Sequence, residues 1–447
     1  MLVKLEKILT YDNVFLSGGA GVGKSFLTNE LIRSYKSKNK IVVPLGSSAL
    51  SAFNIGGVTL HSFFCLGYCQ DMNTLSVFDR NQKQREKLAK LKEILKKIDL
   101  IIIDEISMVS ADIFEMIGFR LRNSQFEGKI LVVGDFFQLP PVIKEKKENL
   151  FLNSTYAFSS FFWKDLNFKN IKLSQSKRTH NLEFYRNLSL IRQGFLDDKI
   201  LNFFENLCIN ANDLPKLDDD YTLLCGINKK VNIINQTRLN KLETELVCFK
   251  AQIRKERKDI EDQRIETWIK SLNILDELYL KIGARVIFCV NNWEKGYYNG
   301  EQGVVESINY EEDKTYIGIM KNSGVKIMLE PYVFFMEELE QNNNEMFIDV
   351  LASVSQYPIK LAYAITIHKS QGMSIDKLVC DIDHIFENGQ LYVALSRAIN
   401  PSTLKIYFAK RINFKSYFIS ILKFDMSVRE FYQNNEFLDL ELENNII

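Results

Sequence analysis

The stretch Gly18-Gly19-Ala20-Gly21-Val22-Gly23-Lys24-Ser25 limits what this chain can fold into more than any other. It follows the apolar run Val14-Phe15-Leu16 and opens into Phe26-Leu27-Thr28-Asn29-Glu30-Leu31-Ile32, so it lies where a strand turns into a helix. A phosphate-binding loop requires that setting. Glycines let the backbone curl until successive N–H groups face phosphate oxygens, and the following helix adds the positive end of its dipole. On this reading Gly18, Gly19, Ala20, Gly21, Val22, Gly23, Lys24, Ser25 and Phe26 bind the nucleotide. Lys24 reaches the β- and γ-phosphates, and the Ser25 hydroxyl holds Mg²⁺. The alternative is a Gly-rich turn that happens to precede a helix.

Such a loop needs a parallel sheet behind it, and the chain alternates accordingly. A strand is predicted at Ile41-Val42-Val43-Pro44, a helix near Ala49 to Asn54, and then the run Gly56 to Phe64. Residues 65–82 lose periodicity and read as a small excursion. From Lys83 to Ile98, Leu88, Leu91, Ile94, Leu95 and Ile98 share one face amid lysines, which predicts a solvated outer helix, with a DNA contact as the alternative. A chain of 447 residues exceeds one ordinary core, and 46% hydrophobic with 25% charged residues is the composition of a globular protein and not of a fibre or a disordered chain.

The apolar strand Leu100-Ile101-Ile102-Ile103 closes on Asp104-Glu105, the pattern that magnesium–nucleotide chemistry uses at the carboxyl edge of a sheet. Asp104 is the candidate for Mg²⁺, and Glu105 for orienting and deprotonating the attacking water. After a helix near Ala111 to Arg122, the strand Lys129 to Val133 ends in Gly134-Asp135-Phe136-Phe137-Gln138-Leu139-Pro140-Pro141. Gln138 is placed to sense the γ-phosphate, and the stiff proline pair to hold its loop.

The 57 basic and 56 acidic side chains nearly cancel, so a nucleic-acid partner would have to be held by a local groove. The seven scattered cysteines do not form a disulfide framework, and a reduced compartment is expected. His61, Cys65 and Cys69 share a helical spacing without a fourth ligand, so packing is preferred to metal binding there. No run of eighteen apolar residues and no leader pattern is present, which predicts a cytoplasmic protein of bacterial type with no membrane partner.

Taken in order, Gly-Gly-Ala-Gly-Val-Gly-Lys-Ser, Asp104-Glu105-Ile106-Ser107-Met108-Val109 and Gly134 to Pro141 resemble the Pif-one/RecD-like helicases of superfamily 1B, closest to the Pif-one family. The second half carries more of the likeness. Leu173-Ser174-Gln175-Ser176-Lys177-Arg178-Thr179 resembles the family's fourth motif, Ile359 to Gly372 its fifth, and Gly389 to Ala398 its sixth. The resemblance spans about residues 14 to 400. It implies two RecA-like parallel-sheet P-loop cores in an α/β fold, with a small SH3-like β-barrel inserted in the second. It also implies ATP and Mg²⁺ as cofactors, and 5′-to-3′ movement on single-stranded DNA with unwinding of duplex.

By the same resemblance Arg178 and Arg397 are arginine fingers, and nucleotide binding would draw the cores together around them. Thr59, His61 and Ser62 in the first core and Thr366, His368 and Lys369 in the second would hold the phosphates of the strand. They are short donors and cations that grip a backbone without reading bases. Phe63, Phe64 and Phe136 are expected in the core, with base stacking as the alternative. Forked or tailed duplexes, RNA–DNA hybrids and G-quadruplexes are implied substrates, and a two-core motor of this kind can act as a monomer. The family reads adenine with a glutamine upstream of the loop, and the seventeen residues before Gly18 hold none.

The predicted organisation is a first core over 1–165 with the excursion near 65–82, a second core over 166–275 and 356–430, an insertion over 276–355, and an acidic tail over 431–447 without a readable role. Short runs such as Ala284 to Phe288, Gly303 to Val305 and Val325 to Met328, with turns including Asn299-Gly300, mark the insertion as antiparallel. Arg254 to Asp259 reads as an exposed helix or loop. A clamp or remodeller that uses ATP on DNA without separating strands is the competing function, since residues 64–83 offer only a short strand-splitting element.

Overall fold

Strands Val14–Gly18, Val42–Gly46 and Leu100–Asp104 are buried at every position, as strands covered on both faces must be. They belong to a seven-stranded sheet ordered Leu438–Asp439, Lys169–Leu173, Val14–Gly18, Lys129–Gly134, Leu100–Asp104, Val42–Gly46, Val58–Thr59, with every pairing parallel. The computed structural model describes residues 1–142, 155–210, 221–272, 274–292, 294–311, 314–342, 345–410 and 412–441. The chain divides into two compact units. One comprises Met1–Lys177, Glu337–Asp349 and Phe424–Ile447; the other comprises Arg178–Met336 and Val350–Lys423.

The first unit therefore runs past residue 165. Strand Lys169–Leu173, assigned from sequence to the second core, pairs with Val14–Gly18 instead. The described part of the stretch read from sequence as an acidic tail packs on the first sheet. Helix Met426–Asn434, capped by Asp425 through the Ser427 N–H, packs Val428, Phe431 and Tyr432 at helical spacing against the first sheet. Phe431 stacks on Phe158 at 4.5 Å and meets Phe15, Phe136 and Trp163 within 6.0 Å. Phe431 is partly buried there, and full burial of such a ring contributes up to about 3 kcal/mol. Residues 442–447 of that stretch lie outside the described residues.

The excursion carries helix Met72–Phe78, followed by helix Gln82–Leu95, whose Leu91, Ile94 and Leu95 are buried. Arg120, only 5% exposed, fixes it. Its Nη1 and Nη2 donate to Asp79 at 2.6 and 2.8 Å, and its Nε donates to the Phe64 carbonyl at 3.1 Å. Cys65 and Cys69 pack against the same core. Phe63, Phe64 and Phe136 are 6%, 0% and 1% exposed, so they are core residues and base stacking does not apply.

The second unit has a parallel sheet ordered Ala364–Thr366, Thr222–Cys225, Leu378–Asp381, Leu404–Tyr407, Cys208–Ile209. The insertion is an antiparallel sheet of Lys326–Leu329, Thr315–Lys321, Gln302–Tyr310 and Arg285–Phe288, completed by Ile359–Leu361 from beyond the boundary expected at 355. The charged stretch at Arg254 begins as strand Gln252–Lys255 on the edge of a separate three-stranded sheet, beside Glu345–Gln356. Exposed charged side chains on an edge strand discourage further pairing, and that role mimics the composition of a surface loop. No helix among the described residues is long and apolar enough to cross a membrane.

Candidate nucleotide and nucleic-acid sites

Three neighbouring parallel strands, Val14–Gly18, Lys129–Gly134 and Leu100–Asp104, release their chains at the same sheet edge. The phosphate loop, the turn bearing Gln138 and the acid pair Asp104-Glu105 therefore follow from adjacent strand ends. Gly134 is needed for this crowding, because a Cβ there would lie 2.9 Å from the Ile106 backbone nitrogen. Gly23 caps helix Lys24–Ser37 with φ +92°, a left-handed conformation that a side chain would strain.

Lys24 Nζ donates to the carbonyl oxygens of Gly18 and Gly19 at 2.7 and 3.0 Å. Ser25 and Phe26 are exposed at the helix start. Asp104 is 6% exposed and accepts the Glu105 N–H at 2.9 Å. Burial first, and the Glu105 charge second, raise its pKa to about 7, while Lys24 pulls the other way. Glu105 has φ +53°, an uncommon backbone for a residue with a side chain and one that recurs at functional sites. Gln138 is 5% exposed and donates its backbone N–H to the Asp135 carbonyl at 2.9 Å.

In the second unit Arg178 and Arg397 meet around one serine. Arg178 donates from Nη1 to the Ser396 carbonyl at 2.6 Å and from Nε to Ser374 Oγ at 2.8 Å. Arg397, 2% exposed, donates from Nη2 to Ser396 Oγ at 3.0 Å, from Nε to the Val393 carbonyl at 2.9 Å, and from Nη1 to the Ser370 and Met373 carbonyls at 3.3 Å. These acceptors are uncharged. Burial, and then the like charge of Arg397, depress the Arg178 pKa to about 9, so an arriving anion would relieve both.

Thr59 caps helix Leu60–Phe63 by accepting the Ser62 N–H at 3.3 Å, which brings Thr59, His61 and Ser62 onto one short turn. Burial lowers the His61 pKa, favouring its neutral form. Of the other three, Thr366 is buried and accepts the Lys369 N–H at 3.4 Å, and His368 Nε2 lies 2.8 Å from Glu387 Oε2. Lys369 is the member of this group that is exposed.

Two residues beside the phosphate loop escaped the sequence reading. Lys177 donates its N–H to the Gly21 carbonyl at 2.7 Å, and its adjacency to Arg178 was the available signal. Tyr432 OH lies 2.7 Å from Ser17 Oγ, at a separation of 415 residues that no local pattern reveals.

Residues 7–197 match the family model described as PIF1-like helicase, and residues 290–411 match one described as Helicase. The chain is 75% identical over 447 residues to the ATP-dependent DNA helicase Pif1 of Campylobacter jejuni, with 100% of each chain covered. It resembles the crystal structure of Bacteroides sp Pif1 in complex with ADP-AlF4, with a TM-score of 0.81 and 28% identity over 97% of this chain and 96% of that one. With Bacteroides Pif1 bound to ssDNA the TM-score is 0.64 and the identity 29%, over 97% and 96% of the chains. Full-length likeness of this order places the chain in the PIF1-like family of ATP-dependent DNA helicases.

Proposed function

We propose that the chain is a motor that hydrolyses ATP with Mg²⁺ and moves 5′ to 3′ along single-stranded DNA, separating the strands of forked or tailed duplexes. The observation that carries this reading is the convergence of Lys24, Asp104, Glu105 and Gln138 from adjacent strand ends of one parallel sheet. The residues also fit the metal. Asp104 is a buried carboxylate that a cation would hold in its charged form, and Ser25 is an exposed hydroxyl at the loop's end. Hard oxygen donors of this kind suit Mg²⁺, which neutralises charge on the phosphates when bound.

In this account Lys24 and the N–H groups from Gly18 to Phe26 bind the phosphates, Glu105 orients and deprotonates the water, and Gln138 senses the γ-phosphate. Arg178 and Arg397 are assigned to the charge that develops in the transition state. Thr59, His61, Ser62, Thr366, His368 and Lys369 are assigned to the strand. The buried Thr366 shapes its turn through the Lys369 N–H, and His368 carries Glu387 with it. Because such contacts read phosphates and not bases, RNA–DNA hybrids and G-quadruplexes fall within the same substrate class, and one copy of the chain suffices.

Steady-state ATPase with and without an oligonucleotide tests the assignment. Stimulation by single-stranded DNA is expected in wild type, together with loss of turnover in Lys24→Ala and Glu105→Gln. Undiminished turnover in either variant would overturn the site.

A further inference from the structure

The C-terminal segment returns to the first sheet and contacts residues on both sides of the strand that feeds the phosphate loop. On one side the Tyr432 hydroxyl bridges two loop-bearing strands: it lies 2.7 Å from Ser17 Oγ, immediately before the phosphate loop, and accepts the Phe136 N–H at 3.3 Å, on the turn that carries Gln138. Its ring stacks on Phe137 at 4.8 Å. On the other side strand Leu438–Asp439 pairs with Lys169–Leu173 and delivers Glu441, whose side chain is 4% exposed. Glu441 Oε2 accepts the N–H groups of Ser174 and Gln175 at 3.0 and 2.7 Å, and Oε1 lies 3.5 Å from Lys177 Nζ.

That short stretch is itself fastened to the phosphate loop. Lys177 donates its N–H to the Gly21 carbonyl at 2.7 Å, and a Cβ on Gly23 would lie 3.6 Å from Lys177 Cγ. Arg178 is the next residue. A buried carboxylate that accepts two adjacent backbone N–H groups is a strong, directional anchor, and a phenol that bridges two strand ends fixes their spacing.

From these contacts we infer that Tyr432 and Glu441 are positioning residues for ATP hydrolysis, which makes the C-terminal segment a working part of the nucleotide site. The inference rests on the site reading above. Tyr432 holds the Gln138 turn against the strand that feeds the loop. Glu441 holds residues 174–177 against Gly21. Neither is among the residues assigned to the nucleotide, so their loss acts on turnover more than on binding.

The test compares Tyr432→Phe, Glu441→Ala and Glu441→Gln with Val428→Ala in the full chain. Val428 is 1% exposed and packs in the apolar core under the same helix with an aliphatic side chain that makes no hydrogen bond, so it reports the packing of that helix. At saturating ATP and single-stranded DNA, well below each Tm, kcat should fall about tenfold in Tyr432→Phe and Glu441→Ala with KM for ATP little changed. Glu441→Gln keeps an acceptor for the two N–H groups and should recover much of that loss, while Val428→Ala should lower Tm and leave kcat unchanged. Unchanged kcat in both Tyr432→Phe and Glu441→Ala, with wild type active and Lys24→Ala inactive, would overturn the positioning role and leave the site standing. Activity in Lys24→Ala equal to wild type would overturn both.

Discussion

Lys24 Nζ stands 2.7 Å from the Gly18 carbonyl oxygen, so the backbone of the loop holds the ammonium at the tip of the strand that precedes it. The fold does not depend on this bond. A part-buried hydrogen bond is worth about 1 kcal/mol net, whereas Lys24 is the one cationic side chain between Gly18 and Phe26 that can meet the phosphate charge. Lys24→Ala should melt within a few degrees of wild type yet lose at least about tenfold in ATP affinity. Titration with a fluorescent ATP analogue beside a thermal melt checks both halves.

The two arginines should separate under mutation. Arg178→Ala should retain ATP binding and lose about 10³–10⁵ in kcat, the usual worth of an arginine finger. Arg397→Ala should lose turnover and also about 2–4 kcal/mol of stability, since it removes a set of buried hydrogen bonds to the Val393, Ser370 and Met373 carbonyls and to Ser396 Oγ. Urea unfolding with single-turnover hydrolysis distinguishes the pair.

How much of this was legible in the sequence depends on the range of the interaction. Gly18 to Ser25, Asp104-Glu105 and Gln138 could be read because each chemistry sits within a few residues of its own strand end. The first parallel core followed from the same alternation, and the second from the resemblance of its motifs. The contacts of Tyr432 with Ser17, and of Glu441 with Ser174, join residues more than 260 apart, and Phe431 looks like any aromatic residue until Phe158 lies beneath it. Strand Lys169–Leu173 was misassigned for a related reason, since a strand carries no mark of which sheet it will join.

The excursion after Phe64 should depend on Arg120. Removing the guanidinium leaves Asp79 partly buried without its two charged bonds, a loss of about 3–5 kcal/mol for pairs of this kind. Chemical denaturation of Arg120→Ala measures it, and a change below about 1 kcal/mol would contradict the pinning role.

Lys360 offers a pH test. Burial above all, reinforced by the Lys369 charge and opposed by Cys289, lowers its pKa from 10.5 to about 8. Below about 8 the protein must carry this ammonium in a poor environment. Between that value and 10.5 the unfolded chain binds more protons than the folded one, so this group makes stability rise with pH. Lys360→Met should therefore raise Tm at pH 7 and flatten the melting profile between pH 8 and 10.5.

The most direct measurement is unwinding of a short duplex bearing either a 5′ or a 3′ single-stranded tail, with ATP and Mg²⁺, for wild type beside Lys24→Ala. Strand separation of the 5′-tailed duplex alone, absent in the variant, is the result predicted for a 5′-to-3′ motor. Unwinding from the 3′ tail would contradict the direction. Robust DNA-stimulated hydrolysis with no unwinding of either duplex would contradict strand separation and identify a translocating clamp instead.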